Sequence, residues 1–185
     1  KHRSINRSRN SDIPRIAIVG YTNAGKSTLL NSLCQLSTHH SVDTQNKLFA
    51  TLDPTTRRLK LPRVDNSPRE LLMIDTVGFV RDLPSTLIEA FQATLEEVLD
   101  SDLLLLMVDI SNKDWKNQLK IVNSILDSLG STSRRQIIAN QIDKCNSTVI
   151  KDIGDIYPGV LYISALSGAG LQGVKNWLQN YFWSN

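Results

Sequence analysis

Residues 20–27 read Gly20-Tyr21-Thr22-Asn23-Ala24-Gly25-Lys26-Ser27, a full match to the phosphate-loop pattern G-x-x-x-x-G-K-[ST]. The match stands between an apolar, β-rich run, Arg15–Val19, and a segment of helical apolar spacing, Thr28–Leu36. Strand, glycine loop and helix therefore follow in the order the pattern requires, which a chance glycine-rich turn would not supply. Glycines let the backbone wrap closely round a polyphosphate, and main-chain N–H groups at a helix N-terminus favour an anion. Lys26 is placed to meet β and γ phosphates, the Ser27 hydroxyl to coordinate Mg2+, and Thr28 closes the cradle.

The rest of the chain fits a fold that can carry such a loop. Short apolar runs at Leu71–Asp75, Asp102–Asp109, Gln136–Asn140 and Val160–Ser164 show little alternation, as strands covered on both faces do. Leu59 and Leu61 alternate with Lys60, and Asp65-Asn66-Ser67-Pro68 gives a turn, so residues 57–75 read as an antiparallel hairpin. Helices are expected at Lys113–Leu129, ended by Gly130, at Leu83–Leu99 and at Leu171–Phe182. The aromatics Phe91, Trp115, Trp177 and Tyr181 fall on apolar stripes and read as core. Together these elements predict an α/β fold: a mostly parallel six-stranded sheet with one antiparallel edge hairpin and helices on both faces. Asp75, Asp109, Asn140 and Ser164 close their strands, and ligands of such sheets bind beyond the carboxyl ends.

Composition narrows the class. The 185 residues suffice for one domain with a full core. Two cysteines, Cys34 and Cys145, cannot make a disulfide framework or a four-ligand zinc site. Net charge is +3, but the first fifteen residues hold +4 and the remainder −1, so the domain itself is no strongly basic nucleic-acid surface. Residues 1–13 read as a basic linker or tail from a missing N-terminal region, and 14–185 as the nucleotide-binding domain. The longest interior apolar run, Leu103–Val108, is six residues, far short of a membrane span.

Further positions refine the ligand. Asp75, followed by Thr76-Val77-Gly78, suits a hold on Mg2+, and Gly78 can offer its N–H to a γ-phosphate. Guanine presents N1–H and N2–H2 together, which one carboxylate accepts as a pair, and Asp143 in Asn140-Gln141-Ile142-Asp143 is placed for this. Asn140 can bridge base and phosphate loop. Ser164-Ala165-Leu166 after the last strand can supply the Ala165 N–H to guanine O6. These elements in order favour GTP over ATP; a P-loop ATPase or small-molecule kinase would leave Asp143 and Ser164-Ala165 without a task.

At this point the chain resembles the GTPase domain of the HflX family, in the translation-factor-related branch of P-loop GTPases. The resemblance rests on GYTNAGKST at 20–28, LFATLDPTTRR at 48–58, DTVGFVRDLP at 75–84, LIEAFQATLEEV at 87–98 and YISALSGAGL at 162–171, and covers about Pro14 to Phe182. It implies a Ras-like fold, Mg2+-dependent hydrolysis of GTP to GDP, binding to the large ribosomal subunit and rescue of stalled ribosomes by subunit splitting. A monomer in the cytoplasm, or in a mitochondrial or plastid matrix, is expected. The guanine motif of such GTPases reads Asn-Lys-x-Asp; Gln141 in place of Lys predicts weaker affinity without loss of specificity.

Lys26, Thr51 and Gly78 are the residues expected to act on the γ-phosphate. Thr51 aligns with the magnesium-binding Thr of sister families, with Thr55 and Thr56 as alternatives, inside a segment 42–58 expected to order around γ-phosphate and metal. Phe79 stands where related GTPases place the Gln that orients attacking water, so hydrolysis is expected to use another group or a partner. Arg57 and Arg58 read as hairpin surface charge. Asn23 resembles the ligand of potassium-stimulated GTPases, which predicts faster turnover in K+ than in Na+. His39 and His40 carry no chemistry. Two other functions fit the same residues: a nucleotide-gated binding module with negligible turnover, and a related GTPase of ribosome assembly or tRNA modification.

Overall fold

The computed structural model describes residues 13–35, 55–64, 67–76 and 98–184. Thr51, Gly78, Phe79, His39 and His40, the basic tail up to residue 12, and all but the last two positions of the helix expected at Leu83–Leu99 lie outside the described residues.

Strands β1 (Arg15–Gly20), β2 (Thr55–Val64), β3 (Ser67–Asp75), β4 (Leu103–Asp109), β5 (Arg134–Asn140) and β6 (Leu161–Tyr162) form one sheet in the order β2-β3-β1-β4-β5-β6. All pairings are parallel except β2 with β3, the expected edge hairpin. Helices α1 (Lys26–Gln35), α2 (Trp115–Ser128), α3 (Ser147–Ile156) and α4 (Leu171–Trp183) cover it.

Strand periodicity splits the core in two. Ile16 and Ile18, with Leu103, Leu105 and Met107, face α1 and α4, where they meet Leu29, Leu33, Leu171, Val174 and Leu178. Ala17 and Val19, with Leu104, Leu106 and Val108, face the other way, onto Trp115, Leu119, Val122 and Leu126 of α2 and Ile153 of α3. Trp177 and Tyr181 stack at 5.1 Å between centroids and pack, half-buried, against the first cluster, so they flank the core on the side their spacing implies. Among the described residues no helix is long and apolar enough to cross a membrane.

Several boundaries differ from expectation. Helix α2 starts at Trp115, because the Asn112 side chain takes the Asp114 N–H at 2.9 Å and holds that segment as a turn. Ser67 and Pro68 belong to β3 and not to the turn, and the hairpin begins at Thr55, two residues before its expected start at Arg57. The last strand is only Leu161–Tyr162: Ile163 still donates to Ala139 at 2.8 Å, but the Ser164 N–H turns back to Ala169 at 3.0 Å and the chain leaves the sheet. Helix α3 has no counterpart among the expected elements. Asn146 caps it by accepting from the Val149 N–H at 3.0 Å.

Sheet order fixes the site. From β1 the chain passes to β2 and β3 on one side and to β4, β5 and β6 on the other, so β1 borders the point where the connections reverse. A ligand crevice opens beyond the carboxyl ends of strands at such a point.

Candidate nucleotide site

The glycine loop leaves β1 at that point. A Cβ on Gly20 would press into the carbonyl oxygen of Met107, and Gly25 has φ +97° with its would-be Cβ 2.5 Å from Asn140 Nδ2, so both positions require glycine. Asn23 also takes a left-handed conformation, φ 62°, which asparagine tolerates better than most residues, and it is exposed.

Lys26, at the first position of α1, is buried and donates to the carbonyls of Tyr21 at 3.1 Å and Gly20 at 3.4 Å. Burial lowers its pKa from the usual value to about 8, opposed by the charge of Asp75. Asp75 closes β3 in register with Ile18 and is 3% exposed. Burial pushes its carboxyl up, against a hydrogen bond from Ser27 and the charges of Lys26 and Arg57. The Thr76 hydroxyl donates to the Ile18 carbonyl at 2.7 Å and pins this strand end to β1.

One oxygen of Asp75, Oδ1, is buried with no hydrogen-bond partner. A buried anion with a spare lone pair, beside the Ser27 hydroxyl and a lysine, is the donor set a hard divalent cation shares with phosphate oxygens, so Ser27 and Asp75 fit Mg2+. Among the described residues no three His, Cys, Asp or Glu side chains cluster, so no all-protein metal cage competes with this arrangement.

At the far side, Asn140 ends β5 and is 3% exposed. Its Nδ2 donates to the Ala24 carbonyl and its Oδ1 accepts from the Ala165 N–H, both at 2.9 Å. The expected bridge from this residue to the phosphate loop is therefore formed. The Ala165 N–H, expected to be offered to guanine O6, is engaged by Asn140 instead. Asp143 lies exposed on the 3-10 turn Ile142–Lys144, three residues beyond Asn140. The Ser164–Leu166 segment sits in a loop closed by Gly168 N–H to Ser164 O at 2.9 Å, with Leu166 83% exposed at its tip.

Gln141 is strained, with φ 65° and ψ 35°, and its Nε2 donates to Asp109 Oδ2 at 2.6 Å while its own Oε1 is buried without a partner. Asp109 Oδ1 accepts from the Ser111 N–H and hydroxyl at 2.9 and 2.6 Å. Sequence reasoning noted Asp109 only as a strand end; its pairing with Gln141 had no local signal. Arg58 forms the exposed cross-strand ion pair with Glu70 that hairpin surface charge suggests, whereas Arg57 also acts on Asp75. Thr55 lies in register with Asp75 and Thr56 with Ile74.

Residues 15–141 match the profile of a family described as "50S ribosome-binding GTPase". The chain belongs to that GTPase family. Its sequence is 45% identical over 174 residues to the GTPase HflX of Caldanaerobacter subterraneus, covering 92% of this chain and 38% of that protein. It is 44% identical over 183 residues to the GTPase HflX of Lacrimispora saccharolytica, covering 97% and 41%. Among solved structures it is similar to a GTP-binding protein of Sulfolobus solfataricus in complex with GDP, with TM-score 0.65, 29% identity, and coverage of 90% of this chain and 51% of that one. The HflX resemblance drawn from the motifs and the Ras-like fold both hold, and the family matched is one of GTPases. The chain spans about two fifths of the length of the HflX proteins it matches.

Proposed function

We propose that the chain is the nucleotide switch of an HflX-type protein, which engages the large ribosomal subunit in its GTP form and serves in splitting stalled ribosomes. The observation that carries the nucleotide part is the Asn140 side chain, which joins the phosphate loop at Ala24 to the Ala165 loop at one sheet edge, with Asp143 exposed nearby. In this reading residues 20–28 cradle the phosphates, Lys26 neutralises β and γ oxygens, and Asp143 pairs with N1–H and N2–H2 of guanine. Ser27 and Asp75 hold Mg2+, with Thr51 as a third ligand, and the metal supplies charge neutralisation at the transferred phosphoryl group. Gly78 serves the γ-phosphate through its N–H.

The ribosomal partner is supported by the family description, and a cytoplasmic location by the bacterial origin of the HflX relatives. Phe79 cannot hydrogen-bond water, so turnover is slow until the partner completes the site. Asn23, exposed beside the cradle, gives the site its K+ preference.

The test is single-turnover GTP hydrolysis and co-sedimentation with isolated large subunits, in K+ and in Na+. Retention with a non-hydrolysable GTP analogue but not with GDP, together with faster hydrolysis on subunits, is expected. Equal retention in both nucleotides, or in neither, refutes the ribosomal reading, and equal rates in the two salts remove the role of Asn23.

A further inference from the structure

The loop after β6 is closed on itself: Ser164 N–H bonds Ala169 O, Gly168 N–H bonds Ser164 O, and Ser167 N–H reaches Ser164 Oγ at 3.3 Å. Such a loop holds its own shape but needs outside contacts to hold its place. Two side chains provide them at Ala165. Asn140 Oδ1 takes the Ala165 N–H, and the hydroxyl of Ser32, two turns into α1, donates to the Ala165 carbonyl at 2.7 Å. Helix α1 is the helix that begins with Lys26 and Ser27. A hydrogen-bonded ring therefore runs from Ala24 through Asn140 and Ala165 to Ser32 and back along α1 to the phosphate loop.

Because a trans peptide points its C=O and the following N–H in opposite directions, fixing the Ala165 carbonyl toward α1 turns the Leu166 N–H away from α1. We propose that Ser32 is a positioning residue for guanine recognition: it anchors the Ala165–Leu166 peptide so that the Leu166 N–H is presented to the 6-oxygen of the base. This rests on the guanine reading above and adds a residue that neither the phosphate loop nor the base motif contains. It also supplies a donor for the 6-oxygen where the Ala165 N–H is engaged by Asn140.

The test pairs Ser32→Ala with a nucleotide lacking the group it serves. Affinities for GDP, for ADP and for 2-aminopurine riboside 5′-diphosphate, which lacks the 6-oxygen and with it the N1–H, are measured by calorimetry on the chain and its variants, each variant being compared with the wild type on the same nucleotide. Loss of one neutral hydrogen bond predicts about a five- to tenfold weaker hold on GDP. Binding of the 2-aminopurine nucleotide should change less than about twofold, and Ser32→Thr, which keeps the hydroxyl, should restore GDP binding. An equal loss for both nucleotides, marking a merely structural role, overturns the proposal, and so does unchanged GDP affinity. A wild-type chain that does not prefer GDP to ADP overturns the guanine reading beneath it, an outcome visible before any variant is made.

Discussion

Replacing Asn140 by alanine removes both ends of the bridge at once. Two main-chain groups then lose their partners, the Ala24 carbonyl and the Ala165 N–H, in residues that are 1% and 2% exposed. A buried polar group stripped of its partner costs about 1–3 kcal/mol, so the pair should cost roughly 2–6 kcal/mol. Domains of this size are stable by about 5–15 kcal/mol, so the variant should fold but lose a large part of its margin. Urea unfolding of the nucleotide-free chain, followed by circular dichroism, should show a lower midpoint with an unchanged slope, since the surface exposed on unfolding is the same. Asn140→Asp keeps an oxygen for Ala165 but turns a second oxygen on the Ala24 carbonyl, so it should not rescue stability. A loss below about 1 kcal/mol for Asn140→Ala would refute the reasoning, because it would mean water satisfies both groups and the side chain does not hold the two loops together.

Burial lowers the Lys26 pKa to about 8, so between pH 8 and the usual lysine range the unfolded chain binds the extra proton and stability of the free domain rises with pH there. Lys26→Met should therefore stabilise the nucleotide-free chain at pH 7 by roughly 1–3 kcal/mol while abolishing nucleotide binding, with the gain fading by pH 10; a gain independent of pH would disprove the burial argument. Gln141→Lys should place an ammonium against Asp109 and tighten GDP binding several-fold without changing the preference over ADP, as competition with a fluorescent nucleotide would reveal. Asp75→Asn should lower Mg2+-dependent turnover about 10- to 100-fold, as should chelation of the metal, while a variant with full turnover would remove Asp75 from the metal set.

Much of this was legible because local rules and tertiary outcome agree. The phosphate loop is read from eight consecutive residues whose glycines have backbone reasons, and the bridge from Asn140 to the loop was expected from its place at a strand end. The misses share a cause. Ser32 and Ala165 are 133 residues apart, and a serine inside an amphipathic helix carries no mark of its partner. The last strand was read too long because an apolar run looks the same whether the chain stays in the sheet or, as at Ser164, finds its next hydrogen bond within its own loop. Helix α3 gives a weak local signal, because Thr148, Val149, Ile150 and Ile153 are β-branched and Gly154 lowers helix propensity, while the Asn146 cap and the burial of Ile153 hold it in the fold.

The bridge at Asn140 also sets an order of events during synthesis. The phosphate loop is made early, yet the amide that secures Ala24 is encoded 116 residues later, and Ala165 another 25 beyond that. At about 5–20 residues per second, roughly 6 to 28 s pass between the two halves of the site leaving the peptidyl-transferase centre. A nascent chain in that interval has the glycine loop and its helix but not the side chain that closes them. A chain interrupted before β5 is therefore left with an open phosphate loop and should not retain GTP.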